Sequence, residues 1–307
     1  MTEDRPLVSV LMPTFNGSAF VGETIESVLA QTYEPTELIV IDDASTDETV
    51  AIVEEFAVRT PGRIKLQQNR QRQGPCAGRN DALAVANGSL LAWLDQDDLW
   101  LPHKIARQVE VLEQDSAVGV VHTAFEAFDS DTGEKLQKWA DPGIGAEGDL
   151  LVSLFEQGNL LASITTLFRR SALERRGLRF REKDFSYGDD YYLWLALSLD
   201  WRFARIEEPL AHYRRHSENE SDRLGRSNFH ARRAALLREF LRDFPEAKAR
   251  LGHSRRLGLA RALIDAAGFE GRAGRRTKQV LYVTQALAED PVWTAKALSA
   301  SRSEAQA

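Results

Sequence analysis

Three short acidic clusters are the part of this sequence best suited to chemistry. They are Asp42 with Asp43, then Asp95 with Asp97 and Asp98, and finally Asp189 with Asp190. The first two clusters follow apolar runs typical of buried strands, and the third begins an apolar run of helical length. Like charges packed together destabilise a fold unless a cation or hydrogen-bond donors offset them. The placement of these carboxylates therefore indicates a functional site.

The central cluster lies in the segment LAWLDQDDLW, where an apolar run leads directly into three aspartates. Carboxylate oxygens suit Mg²⁺ or Mn²⁺, and such an ion is usually held by one or two carboxylates together with substrate phosphates. A diphosphate leaving group is the natural partner of such a site. The alternative is an acidic turn that caps the following helix, because a D-x-D alone is a weak motif.

The first 120 residues alternate apolar runs with amphipathic stretches, which predicts four βα units around a mainly parallel sheet. We expect its strands at LVSVLMPTF, TELIVIDD, IKLQQN, SLLAWL and AVGVVH. Two S-x-x-E capping boxes are predicted to begin helices, one at Ser45 with Glu48 and one at Ser171 with Glu174. Ligands of such sheets bind at the carboxyl ends of the strands, where two of the acidic clusters lie.

The pattern loosens after residue 120. We expect a short helix near 149–156, a strand at SITTLF, an apolar helix over 191–199 and two short strands, RFARI and LAHYR. Beyond residue 223 the chain becomes arginine- and alanine-rich with helical periodicity. This organisation predicts one domain over 1–223, with halves at 1–120 and 121–223, and a basic helical region over 224–307.

Charge is divided unevenly along the chain. Residues 225–307 carry 16 Lys and Arg against 8 Asp and Glu, whereas the residues before them carry 23 against 38. The acidic body argues against nucleic acid as the ligand, because a phosphate backbone needs a basic footprint. The basic region suits a peripheral contact with anionic lipid or an acidic partner, and a solvated surface is the alternative. The residues expected to make that contact are Arg232, Arg233, Arg255 and Arg256.

Cysteine use and hydropathy indicate the compartment. Cys76 is the single cysteine of the sequence, so it forms no internal disulfide. We find neither a signal-peptide pattern nor an apolar run long enough to span a bilayer. We therefore expect a cytoplasmic protein, with a peripheral position on the inner face of the membrane through the basic region.

Several ordered segments resemble the successive motifs of family 2 glycosyltransferases. They are VSVLMPTFNG, ETIESVLAQTY, IVIDDASTD, GRNDALAVANGSLLAWLDQDDLW and GDDYYLWLAL, and the resemblance covers residues 7 to about 220. It implies a GT-A fold, which is a Rossmann-like mixed sheet flanked by helices, with a nucleotide-binding first half and an acceptor-facing second half. It also implies a nucleotide-diphosphate sugar donor, a divalent metal at the D-x-D and inversion at the anomeric carbon. Bacterial surface-glycan assembly, on a glycan or lipid-linked acceptor, is the corresponding family-level expectation.

The resemblance assigns the nucleotide to the ends of the first two strands. Pro13 and Thr14 correspond to the positions where the first strand meets the nucleotide, and Asp43 to the carboxylate that accepts a hydrogen bond from the base. A uridine or thymidine donor is favoured on this ground. Asn16 and Asp42 are neighbours of these positions. The alternative for the two aspartates is an Asx turn in the loop that follows them.

Further resemblance-based roles concern the diphosphate and the metal. Arg79 corresponds to a basic position that can meet phosphate oxygens, although a surface arginine on a helix is the alternative. Asp95 and Asp97 correspond to the D-x-D, and Asp98 is a further direct or water-mediated ligand. His216 corresponds to a late histidine that contacts the metal or the diphosphate, and an ordinary histidine is the alternative.

The general base is expected at the third acidic cluster. An inverting transfer needs a carboxylate to take the acceptor proton, and the family places it second in an acidic pair that opens a helix. Asp190 occupies that position, and Asp189 is the base if the register differs by one residue. Two acidic residues that stabilise a helix N-terminus are the alternative. A nucleotidyltransferase and an inactive nucleotide-sugar-binding module remain as other functions, although MPTFNGSAF lacks the phosphate loop expected of the former.

Overall fold

A computed structural model of the chain describes residues 5–136, 145–181, 188–219 and 226–304. The first part alternates strands and helices: β1 (Val8–Thr14), α1 (Val21–Leu29), β2 (Thr36–Asp42), α2 (Thr49–Arg59), β3 (Ile64–Gln68), α3 (Pro75–Val85), β4 (Leu90–Trp93), β5 (Leu99–Trp100) and α4 (Lys104–Gln114). The four predicted βα units are confirmed. Strand β2 is buried along its whole length because helices cover both faces of the sheet.

The second part is less regular. It consists of β6 (Val118–Asp129), α5 (Leu151–Gln157), a 3₁₀ helix (Ser163–Thr165), β7 (Thr166–Arg169), α6 (Arg170–Glu174), α7 (Asp189–Leu197) and β8 (Arg202–Arg215). The C-terminal helices are α8 (Arg226–Asp243), α9 (Ala247–Leu251), α10 (Ser254–Arg272), α11 (Arg276–Glu289) and α12 (Pro291–Glu304). No helix in the described ranges combines the length and apolar character needed to cross a bilayer.

Within the described residues, eight strands form one mixed sheet in the order β3-β2-β1-β4-β7-β6-β8-β5. Strands β3, β2, β1 and β4 run parallel. Strand β7 is antiparallel to β4 and β6, and β8 runs parallel to β6 and antiparallel to β5. The predicted mixed sheet flanked by helices is confirmed. Because parallel strands end at the same edge, the loops after β1, β2 and β4 meet there.

Alternation along the strands divides the core into two apolar layers. From β1, Val8, Val10 and Met12 pack with α1, α2 and α4 on one face of the sheet. Leu11 points to the other face, where α3, α5, α7 and the C-terminal helices lie. The ring of Phe240 on α8 lies 6.2 Å from that of Phe155 on α5, centroid to centroid. The C-terminal helices therefore complete the core on the α7 side, and a domain boundary at 223/224, which falls outside the described residues, stays a prediction.

Arg233 does not belong to a solvated basic surface. It is 3% exposed, and its guanidinium binds Asp265 and the backbone carbonyls of Phe155 and Glu156. The prediction that Arg233 contacts lipid is wrong, because its charge is neutralised inside the interface between α8, α5 and α10. Arg256 donates from Nε to the backbone oxygen of Glu289.

Both predicted capping boxes are wrong. Helix α2 begins at Thr49, whose N–H donates to Asp47 Oδ1, while the Ser45 hydroxyl accepts the N–H of Asn16 instead. Ser171 lies inside α6 rather than before it. In both cases the S-x-x-E spacing is present, but the chain enters the helix at a different residue.

Two predicted strand assignments also differ from the structure. SITTLF begins as a 3₁₀ helix, and its strand starts only at Thr166. RFARI and LAHYR form one continuous strand, β8, instead of two. Its pairing with β6 is irregular around Pro209, a residue that has no N–H to donate to a sheet. That irregularity accounts for the prediction of two short strands where the structure has one.

Candidate active site

The ends of β1 and β2 are fastened to each other by side chains. Thr14 Oγ1 donates to Asp42 Oδ1 at 3.4 Å, and Asp42 Oδ2 accepts the N–H of Ser45 at 3.0 Å, so Asp42 does hold a turn. Asn16 lies next to it with a φ of 49°, in the left-handed region. Its side-chain oxygen accepts the N–H of Thr46 at 2.8 Å. Asn16 and Asp42 therefore shape the two loops at this edge of the sheet.

Gln96, the middle residue of the D-x-D, ties the loop after β4 to the loop after β1. Its Oε1 accepts the N–H of Phe15 at 2.8 Å, and its Nε2 donates to the Phe15 carbonyl at 3.2 Å. Gly17 leaves room for this side chain, because a Cβ at position 17 would lie 2.4 Å from Gln96 Oε1 and displace the amide. Gln96 therefore fixes the D-x-D loop against the loop after β1.

Asp43 organises the loop between β3 and α3. Its Oδ1 accepts the N–H of Gln73 at 2.8 Å and Asn69 Nδ2 at 3.3 Å, and its Oδ2 accepts the N–H of Gly74 at 2.7 Å. A carboxylate has about four acceptor positions, and three of those of Asp43 are in use. In the same region the Arg72 guanidinium stacks 3.9 Å from the centre of the Phe15 ring.

Pro13 faces α3 across a narrow gap. A Cβ on Gly78 would lie 3.1 Å from Pro13 Cβ, so this glycine lets α3 approach the end of β1. The next residue of α3, Arg79, is thereby placed at the carboxyl edge of the sheet. The structure thus brings Pro13, Thr14 and Asp43 to one edge, and their contacts with a nucleotide stay a prediction.

Asp97 and His216 form a close pair on adjoining loops. His216 Nε2 lies 2.8 Å from Asp97 Oδ2, and Asn219 Nδ2 lies 3.4 Å from the same oxygen. Both side chains are partly accessible, with 17% of Asp97 and 10% of His216 exposed. Pairing of β5 with β8 explains the meeting, since it lays the D-x-D loop against the end of β8. The paired residues are 119 positions apart in the sequence.

Asp98 turns into the protein. It is fully buried, and its Oδ1 accepts the N–H of Arg214 at 2.8 Å, while its Oδ2 has no hydrogen-bond partner among the described residues. Burial, followed by the charges of Asp97 and Asp95, raises the pKa of Asp98 well above its usual range. Arg214 also donates from Nε to the Asp97 carbonyl at 2.8 Å. Asp98 therefore anchors the loop, and a role as a metal ligand stays a prediction.

Two side chains of this region are candidate ligands for a divalent ion. In the described part of the chain, no group of three or more histidine, cysteine or acidic side chains is placed to hold a metal. Two cis donors at about 2.1 Å from an ion lie about 3 Å apart, and Asp97 Oδ2 and His216 Nε2 are 2.8 Å apart. The remaining coordination positions would belong to a diphosphate and water. Asp97 and His216 are thus the residues that would hold Mn²⁺ or Mg²⁺.

Arg79 joins the second and third acidic clusters. Its Nη2 donates to Asp95 Oδ1 at 3.0 Å and its Nη1 to Asp189 Oδ2 at 2.8 Å, with 12% of the side chain exposed. These two carboxylates raise the pKa of Arg79 against the opposing effect of its burial. One guanidinium therefore connects the loop after β4 with the start of α7. It is no isolated surface arginine, and its predicted contact with phosphate is untested.

Asp189 and Asp190 open α7 and face different surroundings. Asp189 is 6% exposed and accepts from Arg79 and, at 3.3 Å, from the Cys76 thiol. Asp190 Oδ2 accepts Asn159 Nδ2 at 2.9 Å and Ser163 Oγ at 3.0 Å, and its Oδ1 accepts the N–H of Tyr191 at 2.7 Å. Asp190 thus has only neutral hydrogen-bond partners among these contacts.

This environment changes the acidity of Asp190. Burial, followed by the charge of Asp189, raises the pKa of Asp190 to about 6, while Arg79 opposes the change. A carboxylate of this basicity is well suited to accept a proton near neutral pH. Three of its roughly four acceptor positions are in use, which leaves one for a hydroxyl group.

Four supporting residues were missed by the sequence reasoning: Gln96, Asn159, Ser163 and Asn219. Gln96 and Asn219 lie beside predicted residues in the segments DQDD and HSEN, so their position was a usable signal. Asn159 and Ser163 lie in the turn between α5 and β7, and no local pattern connects them with a residue 27 or 31 positions away.

Comparison with known proteins defines the class. The sequence model of glycosyl transferase family 2 matches residues 9–177. WfgD of Escherichia coli, a UDP-Glc:alpha-D-GlcNAc-diphosphoundecaprenol beta-1,3-glucosyltransferase, is 32% identical over 203 residues, which cover 66% of this chain and 74% of WfgD. The chain belongs to glycosyl transferase family 2, and the predicted glycosyltransferase class is confirmed.

Solved structures agree on the fold. Residues 1–349 of TarS from S. aureus, in complex with UDP-GlcNAc, give a TM-score of 0.71 at 17% identity, covering 94% of this chain and 82% of that chain. The mannosyltransferase PcManGT from Pyrobaculum calidifontis, in complex with GDP-Man and Mn²⁺, gives 0.57 at 22% identity, covering 95% and 84%. The predicted GT-A fold is confirmed.

Proposed function

We propose that this chain transfers a sugar from a nucleoside-diphosphate sugar to an acceptor hydroxyl, with inversion at the anomeric carbon and Asp190 as the general base. The observation that carries the proposal is the contrast at the start of α7. Asp189 is bound to the Arg79 guanidinium, whereas Asp190 is held by Asn159 and Ser163. Neutral donors fix the Asp190 carboxylate in place without supplying a positive charge that would keep it from taking a proton.

The reaction is a single displacement. The acceptor oxygen forms its bond to the anomeric carbon as the bond from that carbon to the diphosphate oxygen breaks, and Asp190 takes the hydroxyl proton. Attack on the face opposite the leaving group inverts the configuration. Asp189, paired with Arg79 and the Cys76 thiol, would hold the start of α7 and leave the proton to Asp190.

We assign the donor to the edge formed by β1, β2 and β4. The free acceptor position of Asp43 would take a nucleobase N–H, which favours a UDP or dTDP sugar, and Pro13 and Thr14 would line the nucleoside. An ion held by Asp97 and His216 would offset the negative charge that develops on the leaving diphosphate. The structures of TarS with UDP-GlcNAc and of PcManGT with GDP-Man and Mn²⁺ support a site of this kind.

The relatives support a proposal for the acceptor and the setting. WfgD is named for an acceptor sugar on diphosphoundecaprenol, and TuaG of Bacillus subtilis, 36% identical over 116 residues, is a putative teichuronic acid biosynthesis glycosyltransferase. We propose a glycan or lipid-linked acceptor in bacterial surface-glycan assembly, and a cytoplasmic location for this chain. Residues 121–223 would form the acceptor-facing half, and 224–307 an extension that completes the core.

The test is a panel of nucleotide sugars incubated with Mn²⁺, with water or simple sugars as acceptors. We expect release of nucleoside diphosphate from at least one donor, and a product whose anomeric configuration, read by NMR before mutarotation, is inverted. Formation of nucleoside triphosphate and sugar 1-phosphate from the same donors when pyrophosphate is added would instead identify a nucleotidyltransferase. Donor binding without turnover of any donor would identify a binding module, and retained configuration would remove the single displacement.

A further inference from the structure

The outer face of helix α11 is apolar and exposed. Val280, Leu281 and Leu287 are 64%, 53% and 39% exposed, respectively. Thr284 lies among them, and its hydroxyl is satisfied within the helix by the Val280 carbonyl at 2.9 Å. No charged side chain lies between Lys278 and Glu289, so this surface is neutral over nearly three turns.

The opposite face of α11 is already used for packing. Ala286 is fully buried, and Tyr282 packs against the same core cluster as Ile264 of α10. An amphipathic surface helix is normally polar on the side that faces water. Helix α11 is apolar on both sides, and its outer face has no cover among the described residues. Exposed apolar side chains gathered on one helix face are typical of interaction sites.

A cluster of cations precedes this face. Residues 271–288 contain Arg272, Arg275, Arg276 and Lys278 and no Asp or Glu. Arg275 pairs with Glu270, and the charge of Lys278 acts on the same carboxylate, whereas Arg272 and Arg276 form no ion pair within the described residues. Arg272, Arg276 and Lys278 are all exposed. The partner of α11 must therefore combine an apolar surface with negative charge.

A second copy of the chain meets this requirement poorly. The nearest carboxylates at the other end of α11 are Glu289, bound to Arg238 at 3.3 Å, and Asp290, which is 6% exposed and accepts the N–H of Trp293 at 3.0 Å. An antiparallel contact between two copies of α11 would bring the free cations to carboxylates that are already occupied. An anionic bilayer offers free negative charge and apolar depth together.

We propose that α11 docks on an anionic lipid bilayer. The helix would lie in the plane of the interface with Val280, Leu281 and Leu287 among the acyl chains and Arg272, Arg276 and Lys278 among the headgroups. This surface is separate from the four arginines predicted from sequence, of which Arg233 is buried inside the protein. Lipid binding needs neither donor nor metal, so this proposal can be tested independently of the proposed reaction.

Flotation of the full-length protein with vesicles tests the inference. We expect binding to vesicles of phosphatidylcholine mixed with phosphatidylglycerol, weaker binding to phosphatidylcholine alone, and a decrease with salt. R276Q/K278Q should lower partitioning by about fivefold for each removed charge at low salt. V280S/L281S should lower it by at least about tenfold, because two apolar side chains lose their burial in lipid.

The matched control is V58S, which removes an apolar side chain 78% exposed on α2 and should leave flotation unchanged. These positions are exposed, so each variant should keep the circular dichroism spectrum of the wild type. Equal flotation of the wild type and V280S/L281S would overturn the proposal. A change from dimer to monomer in V280S/L281S with unchanged flotation would also overturn it, and would assign the face to a second copy.

Discussion

The acidic cluster after β4 and the acidic pair at the start of α7 both bind the guanidinium of Arg79. Their other surroundings differ, and so does the chemistry that they suit. After β4, Asp97 is paired with His216, a residue that can share a cation with it. At the start of α7, Asp190 is surrounded by an amide, a hydroxyl and a backbone N–H. The first region suits a diphosphate and an ion, and the second suits a proton.

The geometry of α7 explains how two adjacent aspartates receive different environments. Successive residues of a helix point about 100° apart. Asp189 therefore faces α3, where Cys76 and Arg79 lie, and Asp190 faces the turn that holds Asn159 and Ser163. Sequence position alone could not have separated them.

Removal of the divalent ion should have the largest effect. With excess chelator, transfer should be abolished, because the ion at Asp97 and His216 would carry the charge of the leaving diphosphate. Added Mn²⁺ should restore the rate. The measurement is nucleoside diphosphate release. Full activity in excess chelator would show that the donor site works without a divalent ion.

Replacement of Arg79 should lower the stability of the fold. Arg79→Gln removes the cation shared by Asp95 and Asp189, and the free energy of unfolding should fall by about 3 kcal/mol, since Asp189 is left buried and unpaired. Arg79→Lys is the matched control, because it keeps the positive charge but loses the two guanidinium nitrogens that bind separate carboxylates. Its free energy of unfolding should lie between those of the wild type and Arg79→Gln. Urea unfolding measures both. If Arg79→Gln is as stable as the wild type, the two clusters are not joined through Arg79.

The rate should depend on pH through Asp190. Without acceptor, the pKa of Asp190 is raised to about 6, and only the carboxylate form accepts a proton, so kcat/KM for the acceptor should fall about tenfold per pH unit below about 6 and level off above it. Saturating donor and Mn²⁺ keep the titration of the binding site out of the measurement. The charged groups that act on Asp190 are Asp189 and Arg79. A rate that does not change with pH around 6 would contradict the assignment of Asp190 as the base.

The smallest expected effect comes from Ser163→Ala. A donor to the carboxylate lowers its pKa, so loss of the Ser163 hydroxyl should move the midpoint of the pH profile upward by less than about one unit. The turnover at high pH should change little. Ser171→Ala, on α6, is the matched serine control. A downward movement of the midpoint would mean that Ser163 does not donate to Asp190 in the active enzyme.

Local pattern predicted much of this molecule. The four βα units and the location of Asp42, Asp43 and Asp97 at strand ends follow from apolar periodicity and from the direction of parallel strands. Those features depend on neighbouring residues alone. Asp190 as the base came from the resemblance, and its neutral hydrogen-bond donors support that expectation.

Prediction was weaker where distant residues compete for the same group. Ser45 has the spacing of a capping residue, but its hydroxyl binds Asn16, 29 positions away. Asn219 reaches Asp97 only because β5 pairs with β8, and Arg233 is buried only because α8 packs on α5 and α10. These contacts depend on tertiary packing, which residue spacing does not encode.

The most direct test compares Asp97→Asn, Asp190→Asn and Asp189→Asn for Mn²⁺-dependent donor binding by calorimetry and for transfer. All three changes are nearly isosteric. We expect Asp97→Asn to lose donor binding, Asp190→Asn to bind donor like the wild type but transfer about 10² to 10⁴ more slowly, and Asp189→Asn to retain more activity than Asp190→Asn. An active Asp190→Asn enzyme, or an inactive Asp189→Asn enzyme beside it, would contradict the account and move the base elsewhere.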